Sequence, residues 1–172
     1  MLLELIMRSV RKVKVQRGET LVTHLCIPVD CWFIGRGVAM EFIYDDMGQK
    51  TPQRFFREEP VIPAGFVEQR SCHSTTQMLT SGTVLNLRYE ELSRLLNQNA
   101  EANQFFRLIL ADYAQRNRQR EELLTLSIGE RIRHLHEKQQ RLILTVPGKY
   151  LARYLNMSPF TYSREKNNPR KK

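Results

Sequence analysis

The chain has 172 residues, of which 41% are hydrophobic and 26% are charged. This size and composition are typical of a folded protein with one large or two small domains, and they argue against disorder. The formal net charge is +9, from 27 Lys and Arg residues against 18 Asp and Glu. Between Leu142 and Lys172 seven cations face one anion, so six units of the excess lie in this segment. Such a segment favours a polyanionic partner, nucleic acid before an anionic membrane surface.

Several classes of protein are excluded by what the sequence lacks. Apolar runs such as Leu25–Ile34 are too short and broken to span a bilayer. The apolar segment Met1–Met7 has neither a basic leader nor a small-residue cleavage site, and we expect it to form a first helical turn. Cys26, Cys31 and Cys72 are too few for a four-cysteine cluster, and they read as reduced thiols. We therefore expect a cytoplasmic protein without a metal, a cofactor or a membrane partner.

Up to about Tyr89 the chain alternates short β-like runs with turns rich in Gly, Pro and Asp. Strands at this spacing, separated by turn signals, indicate an all-β sandwich or barrel. The predicted strands are Lys12–Val15, Thr20–Thr23, Cys31–Ile34, Val38–Tyr44, Arg54–Phe56, Thr75–Leu79 and Thr83–Arg88.

From Glu90 onwards the hydrophobic period changes to that of helices. A short helix is predicted over Glu90–Gln98, and a long one without internal Gly or Pro over Glu101–Thr125. Ser127 and Glu130 have the spacing of a capping box, which starts a further helix. That helix is predicted to run to about Arg141 and to be followed by a short apolar link, Leu142–Val146.

The segment from Gly148 to Lys166 has the pattern of a helix-turn-helix. Ala152 is a small residue where the two helices would cross, and Asn156 tolerates the left-handed conformation that the turn requires. Ser158 and Pro159 then form an N-cap with proline in the first helical position. A plain helical hairpin with a solvated basic face remains the alternative.

In a helix-turn-helix the second helix enters the major groove with its N-terminal residues against base edges. Arg164 is the candidate for a bidentate guanine contact, while Lys149, Arg153 and Lys166 would attract phosphates without regard to sequence. The complete set of candidate DNA-binding residues is Lys149, Arg153, Ser158, Pro159, Phe160, Thr161, Ser163, Arg164 and Lys166.

The order of these elements resembles the Crp/Fnr superfamily of transcription regulators. The resemblance rests on Arg17–Leu21, Trp32–Val38, Asp45–Gly48 and Leu87–Leu92, together with the helix-turn-helix pattern. It implies an α+β fold with an antiparallel, cupin-like β-roll over 1–100. A dimerisation helix over 101–126 and a DNA-binding domain over 127–172 would follow. The implied function is that of a homodimeric regulator that binds double-stranded DNA.

A helix-turn-helix protein normally reads two half-sites through two-fold symmetry, so the long helix is the candidate dimer seam. Its predicted contacts are Phe106, Ile109, Leu110 and Tyr113, although a helix packed only on its own β-roll would have the same pattern. We expect the neighbouring Arg116, Arg118 and Arg120 to be solvated or paired with Glu121 and Glu122.

The family's cyclic-AMP site resembles a Gly-Glu-Leu turn followed by an Arg-Ser pair. The family's Glu holds a ribose hydroxyl, and its Arg neutralises the cyclic phosphate in a charge-assisted contact that a neutral side chain cannot replace. The corresponding turn here, Val61–Gly65, has no carboxylate, and Cys72-His73 fall near the Arg-Ser position, so that Arg70-Ser71 fits only with a register shift. We therefore expect an effector other than cyclic AMP, with an apolar, altered or empty pocket. The candidate pocket residues are Ala64, Gly65, Arg70, Ser71, Cys72 and His73.

The family's winged domain usually continues after the second helix, whereas this sequence ends in Asn167–Lys172, which predicts a truncated or missing wing. Phe160 stands where many relatives have a base-reading Glu, so the DNA sequence that they recognise cannot be assumed for this chain.

Two other functions compete with a regulator: a dimeric ligand-binding or protein-interaction module with an inactive helix-turn-helix, and, more weakly, a metal-dependent cupin. The histidines, at 24, 73, 134 and 136, lack ligand spacing, so we do not expect an enzyme. Effector, operator, regulated genes and the sign of regulation stay open.

Overall fold

A computed structural model, which describes residues 2–167, contains eight strands and seven helices. The chain begins with α1 (Leu2–Ser9), and the strands follow: β1 (Arg11–Val15), β2 (Thr20–Val22), β3 (Asp30–Arg36), β4 (Ala39–Tyr44), β5 (Lys50–Phe56), β6 (Pro60–Val61), β7 (Thr75–Met78) and β8 (Gly82–Arg88). The remaining helices are α2 (Tyr89–Gln98), α3 (Ala100–Thr125), α4 (Ile128–Lys138), α5 (Gln140–Thr145), α6 (Gly148–Tyr154) and α7 (Pro159–Lys166).

The strands form two four-stranded antiparallel sheets, in the orders β1-β8-β3-β6 and β2-β7-β4-β5. We call this pair of sheets the β-roll. Its interior is filled by apolar side chains that alternate along the strands, as expected for sheets that pack face to face. These residues are Val15, Ile34, Ala39, Phe56, Val61, Met78 and Val84. The α+β class predicted from the sequence is therefore confirmed.

Strand β4 and its partner β5 are apolar on both faces. Ala39 and Phe56 point into the β-roll, whereas Met40, Phe42 and Phe55 belong to a second cluster that includes residues of α3, α4 and α6. A strand that buries both faces loses the simple alternation of apolar and polar residues. The helical C-terminal part is thus packed directly on the outer face of the β4–β5 hairpin.

The predicted apolar link after α4 is wrong, because α5 continues as a separate helix over Gln140–Thr145. Gln139 adopts a non-helical conformation with φ −135° and separates α4 from α5. Leu142 and Ile143 pack on the cluster shared with the β-roll, so the apolar pattern that suggested a link belongs to the buried face of a helix. The prediction of a truncated wing concerns residues after Asn167, which lie outside the described residues.

Residues 2–167 contain neither a membrane-spanning helix nor a cluster of metal-ligating side chains. No helix there combines the length and the apolar character needed to cross a bilayer. Nor do these residues include a group of three or more His, Cys, Asp or Glu side chains placed to hold a metal ion.

The contact between the β-roll and the helical part is testable with one pair of matched substitutions. Phe55 is 7% exposed and lies in the shared cluster, so Phe55→Ala should lower the free energy of unfolding by about 3–5 kcal/mol. Phe160 is 74% exposed, and Phe160→Ala should change it by about 0.5 kcal/mol or less. Urea unfolding of both variants measures the difference. Equal losses would show that the two parts do not share a core.

Candidate nucleic-acid interface

Helices α6 and α7 are joined by a tight turn whose centre is Asn156. Asn156 has φ +54°, the left-handed conformation expected there from the sequence. The amide of Met157 donates to the carbonyl of Ala152 at 3.0 Å, and the amide of Asn156 donates to that of Arg153 at 3.0 Å. Ala152 has no exposed surface, which agrees with its predicted position at the crossing of the helices.

The start of α7 has the predicted cap. Ser158 lies in an extended conformation, and its hydroxyl oxygen accepts a hydrogen bond from the amide of Thr161 at 3.0 Å. Pro159 occupies the first turn, where its missing N–H leaves no intrahelical bond unmade. Ser158, Pro159 and Thr161 thus set where α7 begins and which residues its first turn presents.

The inward face of the pair is anchored to α4. Leu151, Leu155 and Tyr162 are buried in the shared cluster, and Arg131 of α4 donates to the carbonyl of Leu155 at 2.9 Å. Burial between these helices also shifts the pKa of His136 on α4. Desolvation is the larger cause and the positive charge of Lys166 is the smaller one, and both lower this pKa.

The outward face of α7 is exposed and basic. Phe160, Ser163, Arg164 and Lys166 are exposed, as is Lys149 at the start of α6. Arg164 lies 3.4 Å from the carboxylate of Glu165, an exposed contact of little net strength. Eight of the nine candidate DNA-binding residues, all except Arg153, therefore lie on α7, at its cap or at the exposed start of α6.

Arg153 is the exception among them. Its Nη1 donates to the carbonyl of Lys50 in β5 at 3.1 Å, and its side chain is only half-exposed. The structure thus gives this guanidinium a contact between the helical part and the β-roll, which the sequence did not predict. Sequence spacing assigns a residue to a helix face, but it does not reveal that a strand more than a hundred residues away covers that face.

The candidate effector residues form one loop at the surface of the β-roll. Gly65 has φ +79°, and its carbonyl accepts from the amide of Arg70 at 2.9 Å, which closes the loop. A Cβ at Gly65 would lie 2.5 Å from the carbonyl oxygen of Arg70, so only glycine fits. Ala64, Arg70, Ser71 and His73 are exposed, whereas Cys72 is buried.

The polar groups buried in and beside the β-roll were missed by sequence reasoning. The hydroxyl of Ser74 donates to Glu41 at 2.5 Å, and the guanidinium carbon of Arg54 lies 3.8 Å from the centre of the Tyr113 ring. Tyr113 donates to the carbonyl of Pro60 at 2.8 Å and accepts from the amide of Ile62 at 2.7 Å. Desolvation raises the pKa of this hydroxyl, so it stays protonated and both bonds are kept.

The hydroxyl of Tyr113, a residue of the predicted dimer seam, is thus bonded within its own chain. Phe106 likewise packs on a cluster that contains Cys31, Phe66 and Leu92. Ile109 and Leu110 are half-buried, and the exposed apolar residues of α3 are instead Phe105 and Leu108. The seam was predicted by helical spacing, which finds apolar stripes but does not tell which stripe the β-roll covers.

The arginines of α3 have other partners than expected. Arg116 forms ion pairs with Glu59 and, at 2.7 Å, with Asp112. Arg120 donates to the carbonyl of Pro52 at 3.3 Å. Arg118 is exposed, as predicted. Desolvation raises the pKa of Glu59 despite the opposing charges of Arg116 and Arg54, which shows how strongly this carboxylate is buried.

Several solved structures have the same fold. FixK2 from Bradyrhizobium japonicum matches with a TM-score of 0.80 and 14% identity, over 91% of this chain and 82% of that one. The c-di-GMP-responsive regulator CLP of Xanthomonas campestris matches with a TM-score of 0.73 and 15% identity, over 95% and 88%. The catabolite activator protein of Thermus thermophilus matches with a TM-score of 0.61 and 13% identity, over 96% and 80%.

No family model matches the sequence, and no curated protein does so either. At the identities above, a structural likeness shows the fold. That fold is the one that the sequence resemblance predicted. Among the neighbours that share it, CLP is a global regulator and the Thermus protein is a catabolite activator.

The turn between α6 and α7 can be tested at Asn156. The left-handed conformation costs most residues about 1–2 kcal/mol, so Asn156→Ala should lower the free energy of unfolding by about 1 kcal/mol. Asn156→Gly removes the same side chain but tolerates positive φ, and it should be nearly neutral. Thermal unfolding followed by circular dichroism compares the two. Equal destabilisation by Ala and Gly would mean that the Asn side chain matters and the backbone conformation does not.

Proposed function

We propose that the protein is a homodimeric, DNA-binding transcription regulator of Crp/Fnr type, with α6 and α7 as its helix-turn-helix. The observation that carries the proposal is the pair of helices itself. Its turn has the required left-handed residue, its second helix has a Ser-Pro cap, and the residues that would face DNA are exposed and basic. The fold of the whole chain supports the same function.

The side chains of α6 and α7 suggest which of them would contact DNA bases and which would contact phosphates. Arg164 ends in a planar guanidinium that can donate two parallel hydrogen bonds to a guanine. Lys149 lies at the N-terminal end of α6, where a positive side chain would meet the phosphate backbone. Arg153 is left out of this set because its guanidinium is bonded to β5.

Substitutions at Arg164 and Lys149 should separate specific from general binding. Arg164→Ala should cost about 1–3 kcal/mol on a site selected from a random DNA pool, with much less loss on random duplex. Lys149→Ala should weaken both kinds of DNA alike and reduce the slope of log affinity against log salt by about one. Fluorescence anisotropy titrations at several salt concentrations measure both effects.

Arg118→Ala is the matched control, because it removes the same charge from an exposed position on α3. It should leave the ratio of specific to random affinity unchanged. Failure of the selection to enrich any sequence would refute the proposal and favour the dimeric ligand-binding or protein-interaction module. Retention on DNA alone would not distinguish them, since a basic chain binds DNA without specificity.

The dimer is supported by the apolar residues that α3 leaves uncovered. Phe105 and Leu108 are spaced by three, lie on one face of the helix and are exposed, with Leu108 at 62%. Phe105 also borders an apolar groove of about 530 Å³ between α1, β3 and α3. An apolar surface of this kind is typical of an interface, and a second copy of α3 packed by two-fold symmetry would cover it.

The seam can be tested by placing a charge in it. Leu108→Asp should convert a dimer to a monomer, because a carboxylate buried without a partner is strongly unfavourable. Leu144→Asp is the control, since Leu144 is an equally apolar and exposed residue on α5. Light scattering gives the masses. A monomeric wild type, or a Leu108→Asp variant that keeps the dimer mass, would contradict the predicted seam.

The effector we propose is a molecule other than cyclic AMP. The turn at Val61–Gly65 contains no carboxylate to hold a ribose hydroxyl. Arg70, the nearest candidate for the cyclic phosphate, has its side chain exposed on the loop surface. Inside the β-roll, Glu41 would meet an anionic nucleotide with a like charge.

A further inference from the structure

A polar cavity of about 220 Å³ lies where the β-roll, α3 and the helical C-terminal part meet. Its walls include Arg54 and Glu59 from the β-roll and Arg116 and Arg120 from α3. The other side is formed by Gln139 between α4 and α5, together with Tyr154 of α6. No residue of the candidate effector loop, Ala64–His73, lines it. The cavity is therefore separate from the position that the resemblance implies for an effector.

Three buried polar atoms of this lining have no hydrogen-bond partner among the described residues: Nη2 of Arg54, Nε of Arg120 and Oε1 of Gln139. Arg54 is only 9% exposed, and its guanidinium carbon lies 3.8 Å from the centre of the Tyr113 ring and 5.1 Å from that of Phe56. Buried N–H groups are nearly always paired, because leaving one without an acceptor costs its full desolvation. Arg54 and Arg120 of the lining thus each have an N–H donor for which the described residues supply no acceptor.

The charges point in the same direction. Three guanidinium groups border the cavity, and Glu59 is the one carboxylate that its walls contribute. Glu59 is already engaged by Arg116, which also pairs with Asp112. Arg54 and Arg120 both line the cavity, and each keeps one N–H group without an acceptor among the described residues. A planar guanidinium with free donors is matched best by a phosphate or a carboxylate, and phosphate accepts from several donors at once.

We propose that this cavity binds a small phosphorylated anion through Arg54 and Arg120. The cavity is smaller than the roughly 300 Å³ at which pockets for drug-sized ligands begin, so the ligand is of the size of a phosphate, a pyrophosphate or a short phosphate ester. Arg54 and Arg120 donate to its oxygens, and Gln139 borders the site from the helical part. Because its walls come from both parts of the chain, the bound anion holds the DNA-binding helices against the β-roll.

The proposal does not depend on DNA binding, and its test uses no DNA. Calorimetric titration of the full chain with inorganic pyrophosphate, and separately with inorganic phosphate, should give saturable binding of one anion per chain. Total ionic strength is held constant with chloride, so that general attraction to the basic chain is the same at every point. Binding should also raise the melting temperature, since a ligand that binds only the folded state stabilises it.

Arg54→Gln and Arg120→Gln should each weaken pyrophosphate binding by about tenfold or more, the equivalent of one charge-assisted hydrogen bond. Arg118→Gln is the matched control, because it removes the same charge from an exposed position on the same helix, and it should bind as the wild type does. Arg120 is less buried than Arg54, so its variant keeps the test decisive if Arg54→Gln does not fold.

Two results would overturn the proposal. One is the absence of saturable binding by the wild type at millimolar anion. The other is an equal loss in Arg118→Gln and Arg120→Gln, which would show attraction by net charge without a defined site. Binding of DNA by a protein that fails this test would leave the regulator function standing and remove only the anion site.

Discussion

The ring of Phe55 packs against the ring of Tyr154 with 5.2 Å between their centres, and this contact joins the two halves of the chain. Phe55 comes from the β-roll and Tyr154 from the first helix of the proposed helix-turn-helix. Around them Met40 and Phe42 of β4 meet Leu151 and Leu155, so that strands and helices share one apolar core. Neither part buries these side chains alone, which is why the position of α6 and α7 relative to the β-roll is set by packing.

Polar contacts fix the details of the same junction. Arg153 donates to the carbonyl of Lys50, and Arg120 donates to that of Pro52 while its guanidinium carbon lies 5.1 Å from the centre of the Tyr154 ring. Both carbonyls belong to β5, on the N-terminal side of the bulge at which the pairing with β4 shifts. Such bonds are directional, whereas apolar packing is not, so they add a defined orientation to the adhesion that the core supplies.

The interior of the β-roll contains polar contacts between the chain's own residues. Glu41 bonds to Ser74, and Tyr113 reaches from α3 to the backbone around β6. The stacking of Arg54 on Tyr113 adds a charged group beside these neutral ones. These polar groups are thus satisfied within the chain, whereas Nη2 of Arg54 and Nε of Arg120, at the junction with the helices, have no partner among the described residues.

The sequence by itself determined the features that depend on neighbours in the chain. Gly, Pro and Asp turns placed the strands, Ser127 and Glu130 marked the start of α4, and Asn156 with Ser158 and Pro159 marked the turn and cap before α7. These are local effects of backbone conformation and capping, so a few adjacent residues contain all the information. The resemblance to Crp/Fnr regulators then supplied the arrangement of the parts.

Only the tertiary structure decided what each face of an element touches. Spacing alone grouped Phe106 and Tyr113 as a dimer seam and counted Arg153 among the DNA contacts. Spacing also predicted that Arg120 would be solvated or paired with a neighbouring carboxylate. In the structure all four side chains meet the β-roll or the junction. The physical reason is that helical periodicity shows which residues share a face, whereas the partner of that face comes from strands that are distant in sequence.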